Sequence, residues 1–230
     1  MSNRMTVVRG IVGRSRAPRW ALVGCLVCVM IGCTAEEKLK KADGYYREGV
    51  ANLDGNRQEA FVSFQKAIQE DPGHRDAHYY VGHIYAMQGK YQLAEEQFRT
   101  VLRISPEYSE AHAYLGQVLA QQDRWQEAIR AYRRALNNPL YATPDVAWFN
   151  LGRALAHEGD MNGAAQALED ALLVSPPNVP SGMVHLELGR AYYRLGYDAK
   201  AREMLTRVAE LDKDGPYAAE AEKLLERLKH

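Results

Sequence analysis

"DAHYYVGHIYAMQGKYQLAEEQFRTVLRISP" (residues 76–106) is followed by a second version of itself, "EAHAYLGQVLAQQDRWQEAIRAYRRALNNP" (residues 110–139). Corresponding positions fall 34 residues apart: Gly82 and Gly116, Ala94 and Ala128, Phe98 and Tyr132. Apolar residues recur at helical spacing on both sides of a short polar turn, so each unit reads as helix, turn, helix. The glycine removes a side chain where the two helices cross most closely, and the alanine does the same on the second helix. The aromatic ring then fills the space against the neighbouring unit. The same roles recur outward along the chain, with Gly152 and Gly189 on first helices and Ala60, Ala164 and Ala201 on second helices. Phe64 stands where Phe98 does. Pro72, Pro106 and Pro176 close second helices, because proline cannot continue the hydrogen-bond ladder.

These units resemble the tetratricopeptide repeat (TPR), whose pattern is L-G-x-x-Y, then A-x-x-x-F/Y-x-x-A, then P. The resemblance implies an all-α fold, a solenoid of about five repeats at 41–74, 75–108, 109–142, 145–178 and 182–215. Residues 216–230 form a capping helix, with Ala221, Leu224, Leu225 and Leu228 on one face and charges on the other. The first repeat departs from the pattern, since Gly49 falls one residue late. Two connections are longer than the rest: Gly116 to Gly152 is 36 residues and Gly152 to Gly189 is 37. The additions lie in "NNPLYATPD" (137–145) and "SPPNVPSG" (175–182), where Thr143-Pro144 and Ser181 read as helix N-caps.

Charge is distributed unevenly. Formal net charge is zero, yet residues 1–32 carry five arginines and no acid, leaving 24 basic and 29 acidic groups after them. A mildly acidic body gives no electrostatic footprint for nucleic acid. All three cysteines lie within nine positions, at Cys25, Cys28 and Cys33. A metal site would need a second pair of ligands, and no further CxxC or histidine pair supplies one. No cofactor or small-molecule substrate is therefore expected.

The same segment has a different use. "WALVGCLVCVMIG" (20–32) is uncharged and follows an arginine-bearing stretch. It falls short of the roughly 20 apolar residues that a stable membrane span requires, and reads as the core of an export signal. Met30-Ile31-Gly32-Cys33 resembles the bacterial lipobox, which implies residues 1–32 as a lipoprotein signal peptide, a lipidated Cys33 and a linker over 33–40. Leu22-Val23-Gly24-Cys25 matches the lipobox letters better but leaves too few apolar residues before it. Several acyl chains on Cys33 would anchor the chain stably to a membrane. The lipoprotein resemblance also implies a sorting rule, under which Thr34 in place of aspartate favours the outer membrane.

A TPR stack carries no chemistry of its own, and no catalytic set converges here, so the chain reads as a non-enzyme. Glu95-Glu96 reads as solvated surface. His78, His112 and His185 share one repeat position and read as fillers between helices. The inward positions of the first helices hold Tyr79, His83, Gln117, Phe149, Asn150, Arg153, Arg190, Tyr193 and Arg194, the candidate partner-binding set. Arginine forks suit a peptide backbone or carboxylate, although pairing with neighbours such as Glu158 and Glu187 is the alternative. Leu140, Tyr141, Pro144, Asn150, Leu151 and Gly152 resemble a junction in the lipoproteins of type IV pilus biogenesis, the PilF/PilW and Tgl group. That resemblance implies a pilotin, anchored in the outer membrane and facing the periplasm, with a secretin subunit as its protein partner. The alternative is a lipid-anchored scaffold for peptidoglycan hydrolases or envelope-division machinery.

Overall fold

A computed structural model describes residues 19–213 and 215–229, with side chains from residue 35 onward. The side chains of Cys25, Cys28 and Cys33, and with them the signal and acylation readings, lie outside the described residues. Those described form eleven α-helices and no strand. Among them no helix is long and apolar enough to cross a membrane.

The helices come in pairs: α1 (Arg19–Asn52) with α2 (Arg57–Glu70), α3 (Arg75–Met87) with α4 (Tyr91–Ile104), and α5 (Ser109–Ala120) with α6 (Trp125–Leu136). Then follow α7 (Pro144–His157) with α8 (Met161–Leu172), α9 (Ser181–Arg194) with α10 (Asp198–Leu211), and the single α11 (Pro216–Arg227). From α3 onward each first helix touches the next first helix, and α11 takes that place after α9. Second helices pack on the first helix of the following pair and not on one another. Close first helices and separated second helices curve the stack, so the first helices form its inner layer.

The crossing glycines act as the sequence suggests. A Cβ at Gly116 would stand 2.6 Å from the Tyr132 ring, and one at Gly82 3.1 Å from Phe98. At Gly152 and Gly189 the opposing group is Leu168 or Leu205, at 2.7 and 2.8 Å. Gly49 plays the same part, with Phe64 at 2.6 Å. Its late position reflects a first turn one residue shorter, since Phe64 follows Gly49 by 15 residues and Phe98 follows Gly82 by 16. Each buried ring contributes on the order of 2–3 kcal/mol. The later turns repeat a left-handed residue seven positions after the crossing glycine. It is Gly89 (φ 70°), Gly159 (φ 87°) and Gly196 (φ 74°), but Asp123 (φ 57°) in the third pair.

Three kinds of tie hold pair to pair. The histidine position does more than fill: Nε2 of the buried His78 donates to the Pro72 carbonyl at 3.1 Å, and His112 Nε2 does so to Pro106 at 2.7 Å. Each proline belongs to the preceding pair, so the imidazole reads where that pair ends. The second tie corrects the expectation for Glu95. It is not solvated surface but accepts from Arg99 at 2.8 Å, Arg124 at 2.6 Å and Gln122 at 3.1 Å. Burial pushes its carboxyl up, but these donors outweigh that and hold it below the ordinary carboxylate range.

The third tie joins the two long connections. Asp145, in the first turn of α7, is 1% exposed. It accepts from the backbone N–H of Asn178 at 2.5 Å, from that of Val179 at 2.9 Å, and from the Asn178 side chain at 3.0 Å. Burial alone would raise its carboxyl, yet these bonds hold it below its usual value. Tyr141 of the earlier connection is buried against Ala113, Ala135 and Ala147. The N-cap expectations need one correction. Thr143 holds the N-cap position of α7 as expected, though its side chain makes no cap bond, whereas Ser181 is already helical. Pro180 holds the cap position of α9, its carbonyl accepting from Met183 and Val184 at 2.9 and 3.3 Å.

Candidate partner-binding groove

The inner layer encloses two hollows that share Arg153. The first, about 410 Å³, is lined by His83 of α3, Tyr114 and Gln117 of α5, Trp125 of α6, and Asn150 and Arg153 of α7. The second, about 640 Å³, runs from Arg153 and His157 of α7 to Glu187, Arg190, Tyr193 and Arg194 of α9, and ends on Glu220, Leu224 and Arg227 of α11. Helical spacing explains the set: Asn150, Arg153 and His157 lie three and four residues apart, as do Glu187, Arg190, Tyr193 and Arg194.

Seven of the nine inward candidates line these hollows, and two do not. Phe149 is only 6% exposed and packs with Leu168, Val179, Val184 and Leu188. The fifth pair and its longer connection cover the ring. Tyr79 is half-buried beneath the groove among aromatic rings, 5.5 Å from Tyr108 and 5.6 Å from Tyr114. Burial there raises its phenol well above the ordinary range.

His83 meets the Tyr114 ring edge-on at 5.0 Å. Burial, with Arg57 as the second cause, lowers its imidazole below the usual value, which favours the neutral ring. His157 stacks on Trp125 at 4.0 Å and closes the border between the hollows. In the second hollow Arg190 is engaged by Glu187 at 2.6 Å and by Glu220 of α11. Pairing with Glu187 thus holds for Arg190. Arg153 instead lies over the Phe149 ring at 5.7 Å, and Glu158 accepts from the Gln126 side-chain amide, with His157 Nδ1 3.7 Å away. Among the described residues Arg153, Arg194 and Arg227 form no ion pair.

Sequence reasoning missed Trp125, His157, Glu220 and Arg227. The signal for the last two was present in their spacing of seven, which puts them on one face of α11. The assembled surface offers forked donors, an amide, aromatic edges and a half-buried imidazole, all suited to holding an extended or helical segment. No nucleophile with an adjacent base faces the hollows, and among the described residues no group of His, Cys, Asp and Glu could hold a metal.

Comparison with known proteins accords with this architecture. The tetratricopeptide repeat model matches residues 54–109, 82–146 and 141–182, and a second model of the same description matches 184–214. No curated protein matches the chain. Among solved structures, PilF of Pseudomonas aeruginosa is 25% identical, covering 84% of this chain and 93% of its own, with a TM-score of 0.65. YrrB, described as a TPR protein with an unusual peptide-binding site, is 25% identical over 82% of this chain and 95% of its own, at 0.68. PilW, described as a widely conserved type IV pilus biogenesis factor, shares the fold at 22% identity, 81% and 92% coverage and 0.63. Family models spanning most of the array, on a stack of paired helices with this inner groove, place the chain in the tetratricopeptide repeat family.

Proposed function

We propose that this chain is a lipid-anchored adaptor of the bacterial envelope, and that it acts as a pilotin-like factor in type IV pilus biogenesis. Cys33 carries the lipid and fixes the solenoid at the periplasmic side of the outer membrane. The groove takes a segment of a protein partner, a secretin subunit, and brings it to that membrane. The observation that carries the adaptor reading is the inner face itself, where Arg153 and Arg194 present guanidinium donors with no ion-pair partner among the described residues. The pilus setting is supported by the likeness to PilF over 84% of the chain. It is supported also by the Leu140–Pro144 junction, whose Tyr141 is a buried pin between pairs.

Deletion of the gene, followed by measurement of heat-resistant secretin multimers in outer membranes, tests the role. Multimers should fall sharply and return on complementation; normal assembly in the deletion strain would end the pilotin reading. Cys33→Ala should release the protein from membranes and abolish palmitate labelling. Persistent labelling would move the anchor to Cys25.

A further inference from the structure

The second hollow has a charge sign opposite to the body that bears it. Residues 33–230 carry more acids than bases, yet this hollow is lined by four guanidiniums, those of Arg153, Arg190, Arg194 and Arg227, against two carboxylates. Both carboxylates, Glu187 and Glu220, are spent on one arginine, Arg190. Arg190 is therefore held in place by α9 and α11 together. Three arginines remain, and Arg153, Arg194 and Arg227 are all exposed. They come from three different helices and converge on one cavity of about 640 Å³. Exposed arginines elsewhere in the array, such as Arg99 and Arg207, are paired with an acid on their own helix. Here the balance is made at Arg190 alone.

From this arrangement we infer that the C-terminal section of the groove binds an acidic segment of the protein partner, with its carboxylates held by Arg153, Arg194 and Arg227. The inference rests on the adaptor reading and names the chemistry that its partner must have. Each free guanidinium can take a carboxylate through two parallel N–H donors. Tyr193 and Leu224 border the same hollow and give such a segment apolar cover. The Glu220 carboxylate on Arg190 shows the interaction that the ligand would repeat one turn away.

The test uses the folded mature chain and two fluorescein-labelled nine-residue peptides with amidated C-termini, one alternating Asp with Leu and the other Asn with Leu. Fluorescence anisotropy should show the aspartate peptide binding at least tenfold tighter at 50 mM salt, with the advantage shrinking at 300 mM. Arg153→Gln with Arg194→Gln should remove that advantage while the thermal melt falls by no more than about 4 °C, because neither residue holds an ion pair and only the Arg153 contact with the Phe149 ring is lost. Arg153→Glu with Arg194→Glu should turn the preference toward a lysine-leucine peptide. Equal binding of the aspartate and asparagine peptides, or none by either, overturns the inference. So does arginine-dependent binding to phosphatidylglycerol vesicles in place of the aspartate peptide, which would make the hollow a lipid-headgroup site. Secretin multimers measured in parallel keep the two readings apart. Lost multimers in the deletion strain with no peptide preference leave the adaptor role standing on another surface. Intact multimers end the pilotin role whatever the peptides do.

Discussion

Replacing Asp145 with alanine should loosen the C-terminal end of the array without touching its groove. The carboxylate accepts three bonds from the 175–182 connection, two of them from backbone N–H groups. Alanine leaves the Val179 N–H unpaired in a buried setting, at a cost of about 1–2 kcal/mol. The partly exposed Asn178 N–H recovers a water and costs about 1 kcal/mol, and the side-chain bond adds roughly 0.5–1 kcal/mol. Loss of a negative charge in the first turn of α7 removes about 0.5 kcal/mol more. The expected total is about 3–4.5 kcal/mol. Asn178→Ala breaks only the side-chain bond and should cost about 1 kcal/mol, a graded control. Urea unfolding followed by circular dichroism should show the Asp145→Ala midpoint lowered by about 1 M or more. Because repeat arrays unfold section by section, hydrogen exchange gives the sharper reading. Amides of α9 to α11 should lose protection while those of α3 to α6 keep it. A cost under 1 kcal/mol, or a loss of protection spread evenly along the chain, would refute the claim that this carboxylate joins the last repeats to the rest.

Four further outcomes follow from the packing. Gly116→Ala would gain about 1 kcal/mol of helix propensity on an exposed helix, but its Cβ meets the buried Tyr132 ring at 2.6 Å. It should instead destabilise by about 1–3 kcal/mol in thermal melts. Asp123→Gly should raise the melting temperature slightly, since Asp123 holds the left-handed conformation that glycine holds in three other turns. Asp123→Val should lower it by an amount on the order of 1–2 kcal/mol in stability. Burial lowers the imidazoles of His83 and His112 despite the Pro106 carbonyl on the latter. Their unfolded forms therefore take up protons first, so stability should be full above about pH 6.5 and fall as pH drops below it. The acid slope should shrink in His112→Phe, which urea midpoints between pH 7.5 and 5.0 would reveal.

The period of 34, the glycine–ring crossings and the proline stops were legible because each is a local pattern repeated along the chain. Residues whose surroundings come from another repeat were harder to read. Phe149 holds an inward position by spacing, but Val179 and Val184, more than 29 residues later, decide that it is covered. Glu95 looks solvated beside Glu96, while its partner Arg124 lies 29 residues on. Ser181 looks like a cap because its residue type suits one, yet the preceding proline already orients the carbonyl that starts α9. One tie was within reach: Pro72 with His78 and Pro106 with His112 both stand six residues apart. That recurrence joins two successive repeats by a bond that spacing alone could have suggested.

The residue opposite each crossing glycine bears on how such an array can grow. It is aromatic in the first three repeats, Phe64, Phe98 and Tyr132, and aliphatic in the last two, Leu168 and Leu205. The change falls where the connections lengthen. A duplication of the second repeat would insert a unit whose ends already match its neighbours, with a ring on each side and the Pro106 carbonyl six residues before the next histidine. Copying the fourth would set a leucine-filled joint against one built for a ring. The array is therefore modular at one end and bespoke at the other, and gene-level shuffling of its units should succeed only upstream of Ser109.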